Sequence, residues 1–354
     1  LARGWLEERH QVQSLKPKQR NEFMKTKKLN VTPGRQTKTS LPKHATNYLL
    51  GTLTAAAVFP LTAARAHADG APVPSKVHAL VDFEFANEYV TPRGMIVRDQ
   101  GLTVQPLFLG FVSLYQGDSF INSVTLIPGV WNDLGTHAIS VHAPYNSQPT
   151  TPWTEIDPIA GIEIGFAKHF TLDVTYTAFV EQILDIGTSQ HLDTKLSFDD
   201  SSYFKGFGFH PYLEFWQELD GKATAADVPY NVFKNKGPGP GSSYYFEVGL
   251  DPTYTFKTLG GLKVEAPIDV LLPSSDFYGE YYSSASTVGL FDVGLKGTVP
   301  MNFMPQGYGH WSFHAGFKYM YFVDDNLYNL NTFNAPGKPT RDTWQIFAGV
   351  AVFF

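Results

Sequence analysis

From Val77 to the last residue, hydrophobic and polar positions alternate with a period of two, and the alternation returns segment after segment. In 341–354, Trp344, Ile346, Ala348, Val350, Val352 and Phe354 share one face, against Arg341, Thr343, Gln345 and Gly349 on the other. Tyr244, Phe246, Val248 and Leu250 oppose Ser243, Glu247 and Asp251, and Leu262, Val264, Ile268 and Val270 oppose Lys263, Glu265 and Asp269. Successive side chains of a strand point to opposite faces, so the pattern predicts strands with one apolar and one polar side. Twelve are expected, at about 77–90, 101–115, 119–131, 154–167, 170–183, 190–198, 207–219, 243–256, 261–272, 285–299, 309–323 and 341–354. The second and third carry apolar residues on both faces. Pro106, Pro158, Pro211 and Pro252 each remove a ladder donor, which is tolerated at strand ends and bulges.

The connections alternate in length. Those after the second, fourth, eighth and tenth strands are short, while those after the third, seventh, ninth and eleventh are longer and rich in Pro, Gly, Asn and Ser. Short turns at one end and long loops at the other are the pattern of an up-and-down barrel crossing a membrane with strands. The fold class predicted is therefore all-β: an antiparallel up-and-down transmembrane β-barrel of about twelve strands. The mature segment has no run of eighteen uninterrupted apolar residues, so a membrane span there has to be made of strands. A soluble sandwich or ligand-binding barrel would bury its apolar faces in a sealed core instead. Trp216, Tyr244, Tyr254, Trp311, Tyr321 and Trp344 lie toward strand ends and are candidates for interfacial aromatic girdles.

Composition agrees with many strands and turns: 15% aromatic residues, 31 Gly and 24 Pro among 354 residues. With no Cys, disulfides, thiolate metal sites and thiol nucleophiles are excluded. The net charge of −6 hides an asymmetry. Residues 1–68 hold twelve Lys/Arg and three acids, leaving fifteen bases and thirty acids in 69–354. A basic stretch after Met24, an apolar run from Tyr48 to Thr62 and small residues at Ala66 and Ala68 form the order expected of a secretory signal. Three divisions follow: 1–23 as an upstream translated stretch without assigned function, 24–68 as a signal peptide, and 69–354 as the barrel.

If the polar faces line a lumen, it holds Asp82, Glu84, Glu88, Glu155, Asp157, Glu163, Asp173, Glu181, Asp193, Glu214, Glu218, Glu247, Asp251, Glu265, Asp269 and Asp292. Opposing them are Lys195, Lys263, Lys296, Lys318 and Arg341, with His314 on the same face. An interior of this sign concentrates cations and repels anions. The expected function is passive passage of small solutes with a preference for cations. Alternatively, the carboxylates are spent on rigidifying a filled barrel, or inward-folded loops plug it and the protein is structural or adhesive through loops at 132–153 and 220–242.

His310, Ser312 and His314 share a face and are the one arrangement in which a base could serve a hydroxyl. Same-face neighbours on a strand are about 7 Å apart, too far for a direct hydrogen bond without long side chains, so no enzyme is predicted and no catalytic residue is assigned. Asp324-Asp325-Asn326 and Asp199-Asp200 offer oxygen ligands that would suit Ca²⁺, but such clusters are usually solvated turns, and neither a metal site nor a cofactor is assigned. An acidic chain also speaks against nucleic acid as a partner.

The last residues, Val350-Ala351-Val352-Phe353-Phe354, form a strand with alternating hydrophobics and a closing aromatic. This resembles the terminal signal of Gram-negative outer-membrane β-barrel proteins, with Val350, Val352 and Phe354 as the residues read by the assembly machinery. Phe85 to Val90 followed by Arg93-Gly94-Met95 is similar to the first strand of TorF-type porins, which ends in Tyr-x-x-Arg-Gly; here Thr91-Pro92 adds one residue before Arg93. The resemblance implies a bacterial outer-membrane location and pore activity. Its implied partners are outer-membrane lipid and lipopolysaccharide, the assembly machinery, small solutes and, as one option, further copies of the chain. A weaker likeness, the His-x-Ser spacing at 310–312, is similar to that of outer-membrane lipid A deacylases and leaves a membrane-embedded lipid hydrolase as an alternative.

Overall fold

The computed structural model describes residues 76–137, 152–182, 188–204, 206–220, 243–278, 286–334 and 340–354. The predicted export segment 24–68, the upstream stretch 1–23 and most of the long loops at 132–153 and 220–242 lie outside the described residues.

In chain order the strands are β1 (Val77–Ala86), β2 (Tyr89–Val90), β3 (Ile96–Arg98), β4 (Thr103–Gln116), β5 (Ile121–Gly135), β6 (Trp153–Phe166), β7 (Phe170–Glu181), β8 (Ser189–Phe198) and β9 (Phe207–Gly208). They continue with β10 (Pro211–Asp220), β11 (Tyr244–Leu250), β12 (Thr253–Phe256), β13 (Leu262–Glu265), β14 (Ile268–Pro273), β15 (Leu290–Pro300), β16 (His310–Phe322) and β17 (Asp342–Phe353). Helix α1 (Asp325–Asn334) precedes β17.

Neighbouring strands pair antiparallel, and β1 closes onto β17 with Leu80 opposite Phe353 and Ala86 opposite Phe347. Three pairs of short strands, β9 with β10, β11 with β12 and β13 with β14, each form one broken stave, so that twelve staves enclose the barrel. The breaks fall at 209–210, 251–252 and 266–267, beside Pro211 and at Pro252 and Pro267. Proline cannot donate to the ladder, so the register is carried past the breaks by Asp251 N–H to Phe209 O (2.8 Å), Ala266 N–H to Pro252 O (2.9 Å) and Gly294 N–H to Pro267 O (2.8 Å). Pro106 and Pro158 sit inside β4 and β6. Beside Pro158, the Asp157 carboxylate accepts the Val180 N–H at 3.3 Å and replaces a ladder bond.

The side chains alternate across the wall in the direction the sequence predicts. Along β11 every second residue is buried: Phe246 is 40% exposed and Glu247 6%. Phe83, Leu213, Val248, Leu295, Phe313 and Ile346 continue the exposed apolar belt around the outside. Apolar groups of this number facing water would be unfavourable, whereas they suit hydrocarbon. Tyr244, Tyr254, Tyr321 and Trp344 are exposed, and Trp311 is half-buried with its indole N–H donating to Tyr308 O at 2.8 Å. Trp216 is a correction. It is buried between the inward Glu214 and Glu218, because its stave places even-numbered residues inside.

The first strand also differs from expectation. It ends at Ala86, and residues 87–102 turn into the barrel as a two-stranded hairpin of β2 and β3. Thr91-Pro92-Arg93-Gly94 makes its tip, with Gly94 N–H donating to Thr91 O (2.8 Å) and Thr91 N–H to Met95 O (2.8 Å). Pro92 presets the first turn angle, and Gly94 adopts φ 85°, which a side chain resists. A Cβ at Gly94 would also lie 2.7 Å from Leu290 Cδ2.

Candidate functional site

The interior begins with the rows of inward residues. Of those expected there, Glu84, Glu155, Asp157, Glu214, Glu247, Asp269, Asp292, His314 and Lys318 are buried, and Asp82, Glu163, Asp173, Asp251, Glu265 and Lys296 are half-buried. Antiparallel register sets them side by side: Asp173 lies opposite both Glu163 and Lys195, Glu214 opposite both Lys195 and Glu247, and Asp269 opposite Asp292. Lys195 Nζ lies 3.8 Å from Glu214 Oε2 and 3.6 Å from the Tyr212 ring centre, Lys263 Nζ lies 2.6 Å from Glu265 Oε1, and Lys318 pairs with Asp292. Tyr212 donates its hydroxyl to Glu247 Oε1 at 2.7 Å. Arg341 is not inside: it sits at the long-loop end, partly exposed, and pairs with Asp325.

The hairpin crosses this interior. Tyr89 donates to Glu155 Oε2 on β6 (2.7 Å), while Thr343 on β17 donates to Glu88 Oε2 (2.6 Å). Tyr89 and Val97 pack against Leu109, Ile127, Trp131 and Ile159 on β4, β5 and β6. Val90 and Ile96 pack the other way, in a cluster that includes Leu271, Leu290, Met320 and Phe322 on β14, β15 and β16, and Leu327 on α1. Asn331 of α1 accepts from Ile96 N–H (2.9 Å) and donates to Gly94 O (2.8 Å). Because it holds opposite walls at once, the hairpin spans the lumen and fills its long-loop half. The half-buried carboxylates belong to the other half, nearer the short turns.

Two arginines, in the segment expected to connect the first two strands, carry the hairpin's positive charge. Arg98 Nη1 donates to Asp133 Oδ2 at 2.9 Å and Thr103 Oγ1 at 3.1 Å, Nη2 donates to Thr154 Oγ1 at 2.9 Å, and Nε donates to His137 O at 3.1 Å. Asp133 also accepts from the Thr103 and Thr154 hydroxyls. The space for this guanidinium is made by Gly135, where a Cβ would collide with Arg98 Cζ. Gly135→Ala is therefore expected to displace Arg98 and cost about 1–3 kcal/mol, the range for overpacking. Equilibrium urea unfolding in lipid vesicles reads the loss, and an unchanged midpoint would show that Arg98 gives way freely. Arg93, at the tip, lies over the Phe179 ring at 4.6 Å and the Trp216 ring at 4.9 Å.

The other candidate chemistries are spent locally. His314 Nε2 lies 3.1 Å from Glu84 Oε2 and 3.8 Å from Asp82 Oδ1, which turns the ring toward carboxylates of β1. Asp324 caps α1, its Oδ1 accepting from Asn326 N–H (2.8 Å) and Leu327 N–H (3.1 Å). Asp199 and Asp200 hold the turn after β8: Asp199 accepts from Ser201 Oγ at 2.6 Å, and Asp200 accepts from Phe209 N–H at 2.8 Å and His210 N–H at 3.0 Å. Burial alone would raise the Asp199 pKa, but the Ser201 hydrogen bonds and the nearby His210 and His169 hold it below the ordinary carboxylate value. Val350 and Val352 fall on the same face of β17 as the exposed Trp344 and Ile346, Val350 half-buried and Val352 buried. At the seam the Phe354 N–H donates to Ala79 O (2.9 Å) and the Ala79 N–H donates to Phe354 O (3.3 Å).

No protein-family model and no curated protein matches the chain. Solved structures similar to it include an outer-membrane channel from Pseudomonas putida F1, at 9% identity over 80% of this chain and 97% of that one, TM-score 0.44. The outer-membrane channel DcaP of Acinetobacter baumannii is similar at 8% identity over 78% of this chain and 96% of that one, TM-score 0.31. Outer-membrane phospholipase A from Escherichia coli is similar at 11% identity over 79% of this chain and 93% of that one, TM-score 0.36.

Proposed function

We propose that the protein is a bacterial outer-membrane channel for small solutes, preferring cations, and that residues 87–102 hold it shut in the conformation described. The observation that carries this reading is a closed barrel with an apolar exterior and carboxylates running along its inner face. A wall built only for strength in lipid has no need of a charged inner row, since each buried carboxylate has to be compensated by donors or cations. In the half of the lumen left unfilled by the hairpin, the half-buried residues are Asp82, Glu163, Asp173, Asp251 and Glu265 against Lys263 and Lys296. That surplus of negative charge supports cation preference. Short turns on the periplasmic side and long loops outside would place the filled half toward the exterior. Lipid and lipopolysaccharide would surround the belt, and the terminal strand ending at Phe354 would be read by the assembly machinery.

Planar-bilayer recording tests the proposal with the wild type and a variant in which 88–99 are replaced by a Gly/Ser linker. The linker variant is expected to conduct steadily, with a reversal potential in a KCl gradient of the cation-selective sign, and the wild type to conduct far less. A linker variant that inserts and passes no current, or that prefers chloride, would overturn the reading and leave a structural barrel.

A further inference from the structure

The hairpin tip rests in a pocket of unusual chemistry for a barrel interior. Most inward positions are polar, yet the wall around Arg93 is aromatic: Phe179 on β7, His191 on β8, Trp216 on β10 and Tyr245 on β11. Cross-strand neighbours stack here in series. His191 lies 4.1 Å from Phe179 and 4.4 Å from Trp216 between ring centres, and Trp216 stacks on Tyr245 at 5.2 Å and 15°. These rings belong to the barrel wall, whereas the cation over them belongs to a hairpin inserted from a loop. Arg93 is buried, and its Nε has no hydrogen-bond partner among the described residues. Neither ring nitrogen of His191 has one there either. The hairpin is fixed at this point by its backbone instead, Tyr278 donating its hydroxyl to Arg93 O at 2.9 Å. Glu214, which accepts from Tyr245 at 3.4 Å, adds negative charge to the same wall.

We propose that this aromatic wall is a binding site for solutes bearing a guanidinium group, and that Arg93 is a tethered occupant which such a solute replaces. A guanidinium is planar, weakly hydrated and suited to lie flat on an aromatic face, which distinguishes it from a compact, strongly hydrated ammonium. His191 in its neutral form offers one acceptor nitrogen that the arginine does not use, so a solute free of the hairpin backbone can satisfy more of the wall than Arg93 does. The inference deepens the channel reading by naming the class of solute. It can fail independently of that reading, because the test measures binding and not current.

Ligand-observed NMR on the purified barrel in detergent, with methylguanidinium chloride as the probe and NaCl holding the ionic strength constant, decides the matter. In Arg93→Ala the probe is expected to bind saturably and about tenfold more tightly than methylammonium. Wild type should bind it at least about tenfold more weakly than Arg93→Ala, since its own arginine holds the seat. Trp216→Leu added to Arg93→Ala should abolish the binding. Should Arg93→Ala fail to fold, the 88–99 linker variant empties the same wall and takes its place in the comparison. Equal binding to wild type and to the emptied wall, or binding indifferent to Trp216→Leu, would overturn the proposal. Loss of binding with conductance retained would remove the seat and spare the channel; binding without conductance would do the reverse.

Discussion

Arg98→Met is expected to destabilise the closed conformation by about 3–5 kcal/mol, the cost of leaving one member of a buried ion pair without the other. The Arg98 and Asp133 side chains are 1% and 0% exposed, so water cannot reach in to solvate the carboxylate that remains. Thr103 and Thr154 can still donate to Asp133, which places the loss toward the lower end of the range. The strain falls first on the hairpin. The staves on either side of Asp133 keep their ladders, with β5 paired to both β4 and β6, while the hairpin loses the guanidinium that ties β3 to the wall. Bilayer recordings of Arg98→Met should consequently show more frequent openings than wild type, before any loss of the folded barrel on a heat-modifiability gel. Arg98→Met combined with Asp133→Leu should recover most of the stability, because it removes the uncompensated charge along with the pair. A double variant as unstable as Arg98→Met alone would show that Arg98 acts through packing and not through its charge.

The barrel was legible in the sequence because its strands are set by a local signal. Alternation with a period of two specifies which face meets lipid, and a slip of one residue would reverse every side chain, so the pattern survives in every stave except β4 and β5. The hairpin was hidden because tertiary packing decides it. Tyr89-Val90 and Ile96-Val97 are too short to announce themselves, and Tyr89-Val90 reads as a continuation of β1. A signal was nevertheless present in their partners. The second and third strands are apolar on both faces, and the inward set of Leu107, Leu109, Phe111, Ile127 and Trp131 is the surface on which Tyr89, Met95 and Val97 rest. Trp216 differs from the expected girdle for another reason: aromatic residues near strand ends suit an interfacial girdle, but its position in the alternation is that of the inward Glu214 and Glu218. Nothing local in the sequence marks Arg93 and Arg98 as buried, because a charge in a connecting segment is ordinarily solvated, and only the folding-in of 87–102 buries them.

Leu295→Arg is expected to cost about 2–4 kcal/mol if the outward belt lies in hydrocarbon, since that is the depth-dependent penalty for a basic side chain at the bilayer midplane. Leu295 lies midway along β15, 42% exposed, opposite Phe317 on the outward face of β16. The same substitution on a water-facing strand would be nearly neutral, and buried in a sealed apolar core it would prevent folding altogether. The comparison with Val299→Arg sharpens the test. Val299 is on the same face one residue from the end of β15, opposite Phe313. There the penalty should fall to about 0–1 kcal/mol, because the side chain can reach the headgroups. Reversible urea unfolding in phosphatidylcholine vesicles measures both. A large cost at Leu295 with a small one at Val299 is a gradient that only a bilayer across the belt produces, and equal costs at the two positions would remove the membrane from the account of this fold.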